Sequence, residues 1–145
     1  MINSNGIEKY LCGMQYAEHE YIPGICNIGR QEIARRYRTA YVGLVLCGIL
    51  IVLLEAVHVH SSWRLILFFP AVLIFSGFLQ ARQRFCLAYG WWGVFSVKGY
   101  RKTTRVAEPE FLRADRRMAV MLTAKVVAGA ILITGCYYLI GKVLD

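Results

Sequence analysis

The chain has 145 residues, of which 57% are hydrophobic, and its mean hydropathy is +0.46. Its 17 lysines and arginines outnumber its 9 acidic residues and give a net charge of +8. This composition is too apolar for a disordered chain, and the apolar residues surround their segments instead of forming the stripe typical of a soluble amphipathic helix.

The first segment, residues 1–28, is a mixed polar and aromatic stretch without the apolar core of a signal peptide. We predict a cytoplasmic arm that packs on the membrane face or on a partner, because its tyrosines argue against disorder. A helix start follows. Gly29 can cap the helix, and Glu32 can face the free amides of the first turn. We expect this helix to run unbroken from Arg30 into the membrane.

Three apolar stretches are candidates for membrane spans: residues 40–57, 63–79 and 118–140. The hydrocarbon core of a bilayer needs about 20 helical residues, so the first and third fit easily and the second, with Pro70 in its middle, is near the lower limit. The turn between the first two spans is too short for anything but an antiparallel hairpin. The sequence therefore predicts an all-α integral membrane protein with three transmembrane helices.

The remaining boundaries follow from these spans. We predict a transmembrane hairpin over residues 29–90, whose second helix extends past the membrane and stops near Gly90. An aromatic and basic loop then covers residues 91–108. The third helix and a short outer tail occupy residues 109–145, and Pro109 suits the first helical position.

Basic residues fall almost entirely on one side of these spans. Fourteen precede the first span or lie between the second and third, whereas only Arg64 and Lys142 lie on the other side. Because positive residues stay on the cytoplasmic side, we predict a cytoplasmic N-terminus and an outside C-terminus. The charge then reflects topology and attraction to anionic lipids, and we expect no nucleic-acid partner.

Arginine, lysine and tryptophan beside the spans predict contacts with lipid headgroups or with partner subunits. Trp accumulates at membrane interfaces, where basic side chains meet anionic headgroups. The residues concerned are Arg35, Arg36, Arg38, Arg82, Arg84, Trp91, Trp92, Lys98 and Arg101.

The cysteines on the predicted cytoplasmic side are the main candidates for chemistry. Cys26 precedes the first helix and Cys86 follows the second, so the hairpin can bring them near each other. With Cys12 and His19 they would complete a tetrahedral zinc site. The absence of a C-x-x-C pair argues against that site, and buried cysteine also serves as a small apolar residue. We expect no cofactor, with zinc or iron as the alternative.

Two ionisable residues lie within or beside the spans, where charged groups are functional candidates by default. Glu55, near the outer end of the first span, can instead pair with Arg64 across the turn. Lys125, about two turns into the third span, can extend to the cytoplasmic headgroups or face a partner subunit.

The segments Cys26–Arg36 and Arg82–Cys86 resemble a group of small bacterial three-helix membrane proteins without an assigned activity. Those proteins share the pattern C-N-I-G-x-x-E-I-x-R-R before the first span. The resemblance implies a multi-pass protein of the bacterial inner membrane and carries no implication for mechanism.

A functional hypothesis follows from these patterns. The sequence contains no catalytic constellation and no phosphate-binding glycine-rich loop. It does carry long predicted cytoplasmic segments that contain cysteines and aromatic residues, and three membrane spans alone would not require them. We therefore predict a non-enzymatic accessory or scaffold subunit of a larger inner-membrane complex, with other membrane subunits and anionic lipids as partners. The alternative is a metal- or redox-active membrane protein with a cysteine site on the cytoplasmic face.

Overall fold

The computed structural model describes residues 21–58, 60–96 and 103–144. In chain order the elements are α1 (Arg30–Ala56), a 3-10 helix (Ser61–Leu67), α2 (Phe68–Gln83), α3 (Leu87–Trp92), β1 (Val94–Phe95), β2 (Thr104–Arg105) and α4 (Pro109–Leu144). Cys12, His19, Lys98 and Arg101 lie outside the described residues.

Three segments are long and apolar enough to cross a membrane: Arg30–Ala56, Ser61–Gln83 and Pro109–Val143. The prediction of three helices that are long and apolar enough to span a membrane is confirmed. Only 17–28% of the most apolar stretch of each segment is buried within the chain. These apolar faces would be unfavourable in water and are suited to hydrocarbon.

Two elements begin where the sequence predicts. Gly29 caps α1, and α4 begins at Pro109 and continues without a break for 36 residues. Pro70 lies at the third position of α2, just after the 3-10 helix, and the helix continues past it to Gln83.

α2 lies between its two neighbours and contacts both α1 and α4. Glycine permits the close approach to α1. A Cβ on Gly77 would lie 2.6 Å from the carbonyl oxygen of Arg36, and one on Gly43 would lie 2.9 Å from the amide nitrogen of Ile74. Glycine at these two positions therefore allows the two backbones to approach closely, as small residues do in packed membrane helices.

On α4 the small residues Ala124 and Ala128 are four positions apart, but both are exposed. The contact face of α4 instead carries Ala119, Leu122 and Ala130, which are fully buried. Ala119 and Leu122 form the buried core with Phe85. In this helix a bulky residue at 122 faces the core, so the four-residue spacing of alanines alone selects the wrong face.

The second helix does not continue to Gly90. It ends at Gln83, and Arg84 adopts a left-handed conformation with φ of 51°. The separate short helix α3 begins at Leu87, three residues after Arg84, and its C-cap is Gly93, whose φ is 65°. The break at Arg84 is held by hydrogen bonds from other segments. The predicted loop over 91–108 also contains α3 residues and the antiparallel pair β1–β2, so the chain is not purely α-helical.

The break allows a compact unit to form at one end of the helices, which we call the platform. It consists of residues 21–29, α3, β1, β2 and the first two turns of α4. Ile28 bridges to Ser96 beyond β1, and Val106 after β2 donates a hydrogen bond to the carbonyl of Gly93. The opposite end, around residues 55–64, is called the turn end.

Candidate functional site

Asn27 joins three segments of the platform. Its buried side chain donates from Nδ2 to the carbonyl of Cys86 (3.1 Å) and accepts from the amide of Cys86 at Oδ1 (2.6 Å). Its own amide donates to the carbonyl of Arg84, and its carbonyl accepts from Ser96. The side-chain amide of asparagine has a donor group and an acceptor group. It can therefore bond both the N–H and the C=O of a residue such as Cys86, which lies beyond the end of α2. Asn27 therefore holds the break after α2 in place.

This clamp brings the two cysteines of the sequence pattern to adjacent backbone positions. Cys26, next to Asn27, is 3% exposed and takes part in a disulfide bond. Cys86 is fully buried and is a free thiol. The predicted approach of the two segments is therefore present, and the Cys26 disulfide is formed with a different cysteine.

The Cys86 thiol lies in a group of polar side chains that we call the thiol cluster: Glu32, Arg36, Cys86 and Tyr89. Arg36 Nη2 donates to Cys86 Sγ at 2.8 Å, and the same nitrogen lies 4.0 Å from Glu32 Oε2. Arg36 is half-buried and turned toward the protein, whereas the sequence suggested an outward contact with lipid or a partner.

Glu32 is the least satisfied polar group of the cluster. It is 1% exposed, and neither carboxylate oxygen has a hydrogen-bond partner among the residues that the structure describes. Arg35 and Arg36 approach it only to 4.0 Å. The expected capping role is wrong, because the amide of Gly29 donates to Ser96 instead. A buried carboxylate without hydrogen bonds costs several kcal/mol, and such groups commonly mark functional sites.

Tyr89 completes the cluster from α3. Burial, followed by the negative charge of Glu32 and of Cys86, raises the pKa of this phenol above its usual value, while Arg36 and Arg35 act in the opposite direction. Tyr89 therefore stays a neutral phenol throughout the physiological range.

A second polar contact anchors residues 21–24 to α4. Asp115, fully buried, accepts from Tyr21 Oη at 2.7 Å and from the Gly24 amide at 2.6 Å. Tyr21 also stacks on Phe95 with ring centroids 4.3 Å apart. Burial raises the pKa of Asp115, and the two hydrogen bonds oppose this rise in part. Burial and then Asp115 raise the pKa of Tyr21 well above its usual value.

The sequence analysis missed Asp115. A usable signal was present, because Asp115 is the only acidic residue among the arginines of RADRR. Acidic residues contribute little to membrane topology, so the basic pattern around it gives no reason for this aspartate.

At the turn end, Glu55, Arg64 and Tyr137 form a turn-end cluster that connects three helical segments. Arg64 Nη1 lies 3.4 Å from Glu55 Oε1, and Tyr137 Oη donates to the same oxygen at 2.6 Å. The Arg64 guanidinium lies over the Tyr137 ring at 5.0 Å, and it occupies the space where Gly141 lacks a side chain. The predicted pairing of Glu55 with Arg64 is confirmed.

The remaining residues that the sequence analysis selected differ in their exposure. Arg35, Arg38 and Arg82 are exposed, and Arg84 is half-buried. Trp91 and Trp92 are 49% and 76% exposed on α3. Lys125 is exposed on α4, on a surface that would face lipid.

Within the described ranges, no three His, Cys, Asp or Glu side chains are grouped as metal ligands would be. Of the four predicted metal ligands, Cys12 and His19 lie outside those ranges. Cys26 is held in its disulfide, and Cys86 contacts Arg36. Comparison with protein-family models, curated proteins and solved structures finds no match.

Proposed function

We propose that this chain is a non-enzymatic accessory or scaffold subunit of a larger complex in the bacterial inner membrane. The platform is the observation that carries the proposal. It is a folded unit outside the three apolar spans, and a protein that only crossed the membrane would not need it. Its surface exposes two neighbouring tryptophans, Trp91 and Trp92. Large exposed aromatic side chains beside arginines are typical of the centres of protein interfaces.

The distribution of positive charge supports a cytoplasmic position for the platform. Arg38 and Arg82 are exposed near the platform ends of α1 and α2, where they would meet anionic headgroups. The partners are then other membrane subunits, which contact the platform from the cytoplasm or within the bilayer, and anionic lipids around its rim.

Gentle detergent extraction of the native protein tests this role. We expect the chain to migrate as part of a larger assembly, and joint replacement of Trp91 and Trp92 by alanine to release it. Trp63→Ala is the matched control, because Trp63 is 62% exposed at the turn end and lies away from the platform. Migration of the wild-type chain alone at monomer size contradicts the proposal.

A metal- or redox-active cysteine site is a second candidate, favoured by the disulfide of Cys26 beside the free thiol of Cys86. Metal analysis of the purified protein distinguishes a metal site from a redox site. Stoichiometric zinc or iron that is lost in Cys26→Ser supports a metal site, whereas a metal-free protein with an intact Cys26 disulfide supports a redox site.

A further inference from the structure

We infer that the outward face of α4 around Lys125 binds a transmembrane helix of another protein, and that this helix carries a carboxylate at the depth of the lysine. The inference rests on the proposed accessory role, to which it adds a contact surface and the chemistry of the partner. The surface lies within the apolar spans and is separate from the tryptophans of the platform.

Lys125 is a charged residue on an otherwise apolar helix surface. It is exposed, and it lies inside Pro109–Val143, which is long and apolar enough to cross a membrane. Among the residues that the structure describes, Lys125 has no ion-pair or hydrogen-bond partner. A lysine in hydrocarbon is unfavourable, and ionisable residues at such depths are usually paired with another group.

The depth of Lys125 is a poor match for lipid headgroups. Arg116 and Arg117 are exposed where α4 leaves the platform, and the eight residues from Arg117 to Lys125 correspond to about 12 Å of helix. The four-carbon stem of lysine covers only part of that distance, even though helical side chains point toward the N-terminal end. The ammonium group therefore stays within the apolar layer, where a carboxylate on a neighbouring helix would neutralise it.

The residues beside Lys125 permit close contact with another helix. Ala128, one turn further along α4, shares the face of Lys125, and Ala124 precedes Ala128 by four positions; both alanines are exposed. A Cβ on Gly135 would meet nothing within 4 Å. Small residues let the backbones of membrane helices approach closely, as the glycines between α1 and α2 do. On this face of α4 the side chains leave room for a helix from outside the chain.

A second copy of the chain does not supply the carboxylate. α4 has no acidic residue after Asp115, so two α4 helices paired through this face would bring lysines together without a counter-charge. The segment Ser61–Gln83 has no acidic residue either. In α1, Glu32 is buried in the thiol cluster and Glu55 is bonded in the turn-end cluster. The complementary charge therefore comes from a different protein.

Synthetic transmembrane peptides test the inference on the full-length protein in phosphatidylcholine vesicles. The probe is a leucine–alanine helix of about 20 residues with one glutamate near its middle, and its control has glutamine at the same position. Binding is measured by energy transfer from a donor dye on the protein to an acceptor dye on the peptide. We expect the glutamate peptide to bind about five- to thirtyfold more tightly, the range known for polar contacts between membrane helices.

Two lysines of α4 provide a matched pair of variants. Lys125→Met removes the charge but keeps a long side chain, so the preference for the glutamate peptide should fall below about twofold, whereas Lys125→Arg should keep it. Lys142→Met is the control, because Lys142 is exposed on the same helix near the turn end, and it should leave the preference unchanged.

A second pair of variants tests the close approach of the two helices. Ala128→Leu should weaken the binding of both peptides, because a large side chain keeps the backbones apart. Gly48→Leu adds the same side chain to an exposed position of α1 and should leave binding unchanged. Equal effects of the two changes would contradict the assignment of the contact to α4.

The alternative occupants of this face give different results, and each overturns the inference. Energy transfer between two labelled copies of the chain that is lost in Lys125→Met would assign the face to a dimer. Equal binding of the two peptides, together with a preference for anionic phosphatidylglycerol that is lost in Lys125→Met, would assign the lysine to headgroups. A preference for the glutamate peptide that survives Lys125→Met would place the contact elsewhere.

The native complex separates this inference from the accessory role. A photoreactive side chain at position 128 should cross-link to a membrane helix that contains an aspartate or glutamate, and Lys125→Met should reduce the yield. If the wild-type chain migrates alone, both proposals are wrong. If the assembly is intact and position 128 gives no such cross-link, the accessory role stands and the α4 contact is wrong.

Discussion

Replacement of Asn27 by alanine is the most direct perturbation of the platform. The change removes both side-chain hydrogen bonds to Cys86 and leaves the backbone bonds of residue 27 in place. We expect the segment after α2 to open more often, and Cys86 to become accessible to thiol reagents.

The change in opening free energy can be estimated from the hydrogen bonds that the amide and the carbonyl of Cys86 lose. Among the described residues its amide bonds only Asn27 Oδ1, and an orphaned buried donor costs about 1–3 kcal/mol. Its carbonyl keeps the amide of Gly90 at 3.0 Å, so there the loss is one ordinary hydrogen bond, about 1 kcal/mol. The opening free energy should therefore fall by about 2–4 kcal/mol.

Maleimide labelling of Cys86, measured on its own peptide by mass spectrometry, reports this opening because the thiol is fully buried in the closed form. Since 1.4 kcal/mol corresponds to a tenfold change, labelling should accelerate roughly 30- to 700-fold. Thr103→Ala, an exposed change, should leave the rate within about twofold. An Asn27→Ala protein that labels no faster than this control would refute the clamp.

Three further predictions concern helix packing, the turn-end cluster and Asp115. Gly77→Ala should lower the free energy of unfolding in detergent by about 1–3 kcal/mol through overpacking. Gly48→Ala, whose Cβ would meet nothing within 4 Å, should not, and equal shifts for the two variants would contradict the packing. A double-mutant cycle between Tyr137→Phe and Glu55→Gln should give a coupling of about 1 kcal/mol, and an additive result would exclude the hydrogen bond. Because burial raises the pKa of Asp115, its contribution is full below the unfolded-state pKa and is lost as pH rises through the folded-state value. Stability measured against pH should therefore fall in that window for the wild type and stay flatter for Asp115→Asn; identical slopes would contradict the assignment.

The spans and helix starts could be predicted because their signals are local. Apolar length identifies the three segments that could span a membrane, and Gly29 and Pro109 mark where two helices begin. The pairing of Glu55 with Arg64 was also accessible, since a short turn leaves few partners for either charge.

The platform could not be predicted in the same way, because its determinants are distant in sequence. Nothing in QARQRFCLAY marks a helix end at Gln83, and the groups that stabilise the break come from Asn27. For the same reason Glu32 looked like a capping residue. Instead of meeting the first-turn amides it lies buried in the thiol cluster, and the amide of the N-cap residue Gly29 donates to the carbonyl of Ser96, more than sixty residues away in the sequence.

The continuity of α4 connects the two ends of the molecule mechanically. Asp115 and Tyr137 lie on one uninterrupted helix, 22 residues or about 33 Å apart along its axis. Because the helix is uninterrupted, a tilt imposed where Asp115 bonds Tyr21 and Gly24 would displace Tyr137 beside Arg64. If the three apolar helices span a bilayer, movement of the platform on one side would displace the turn end on the other side without any ligand crossing.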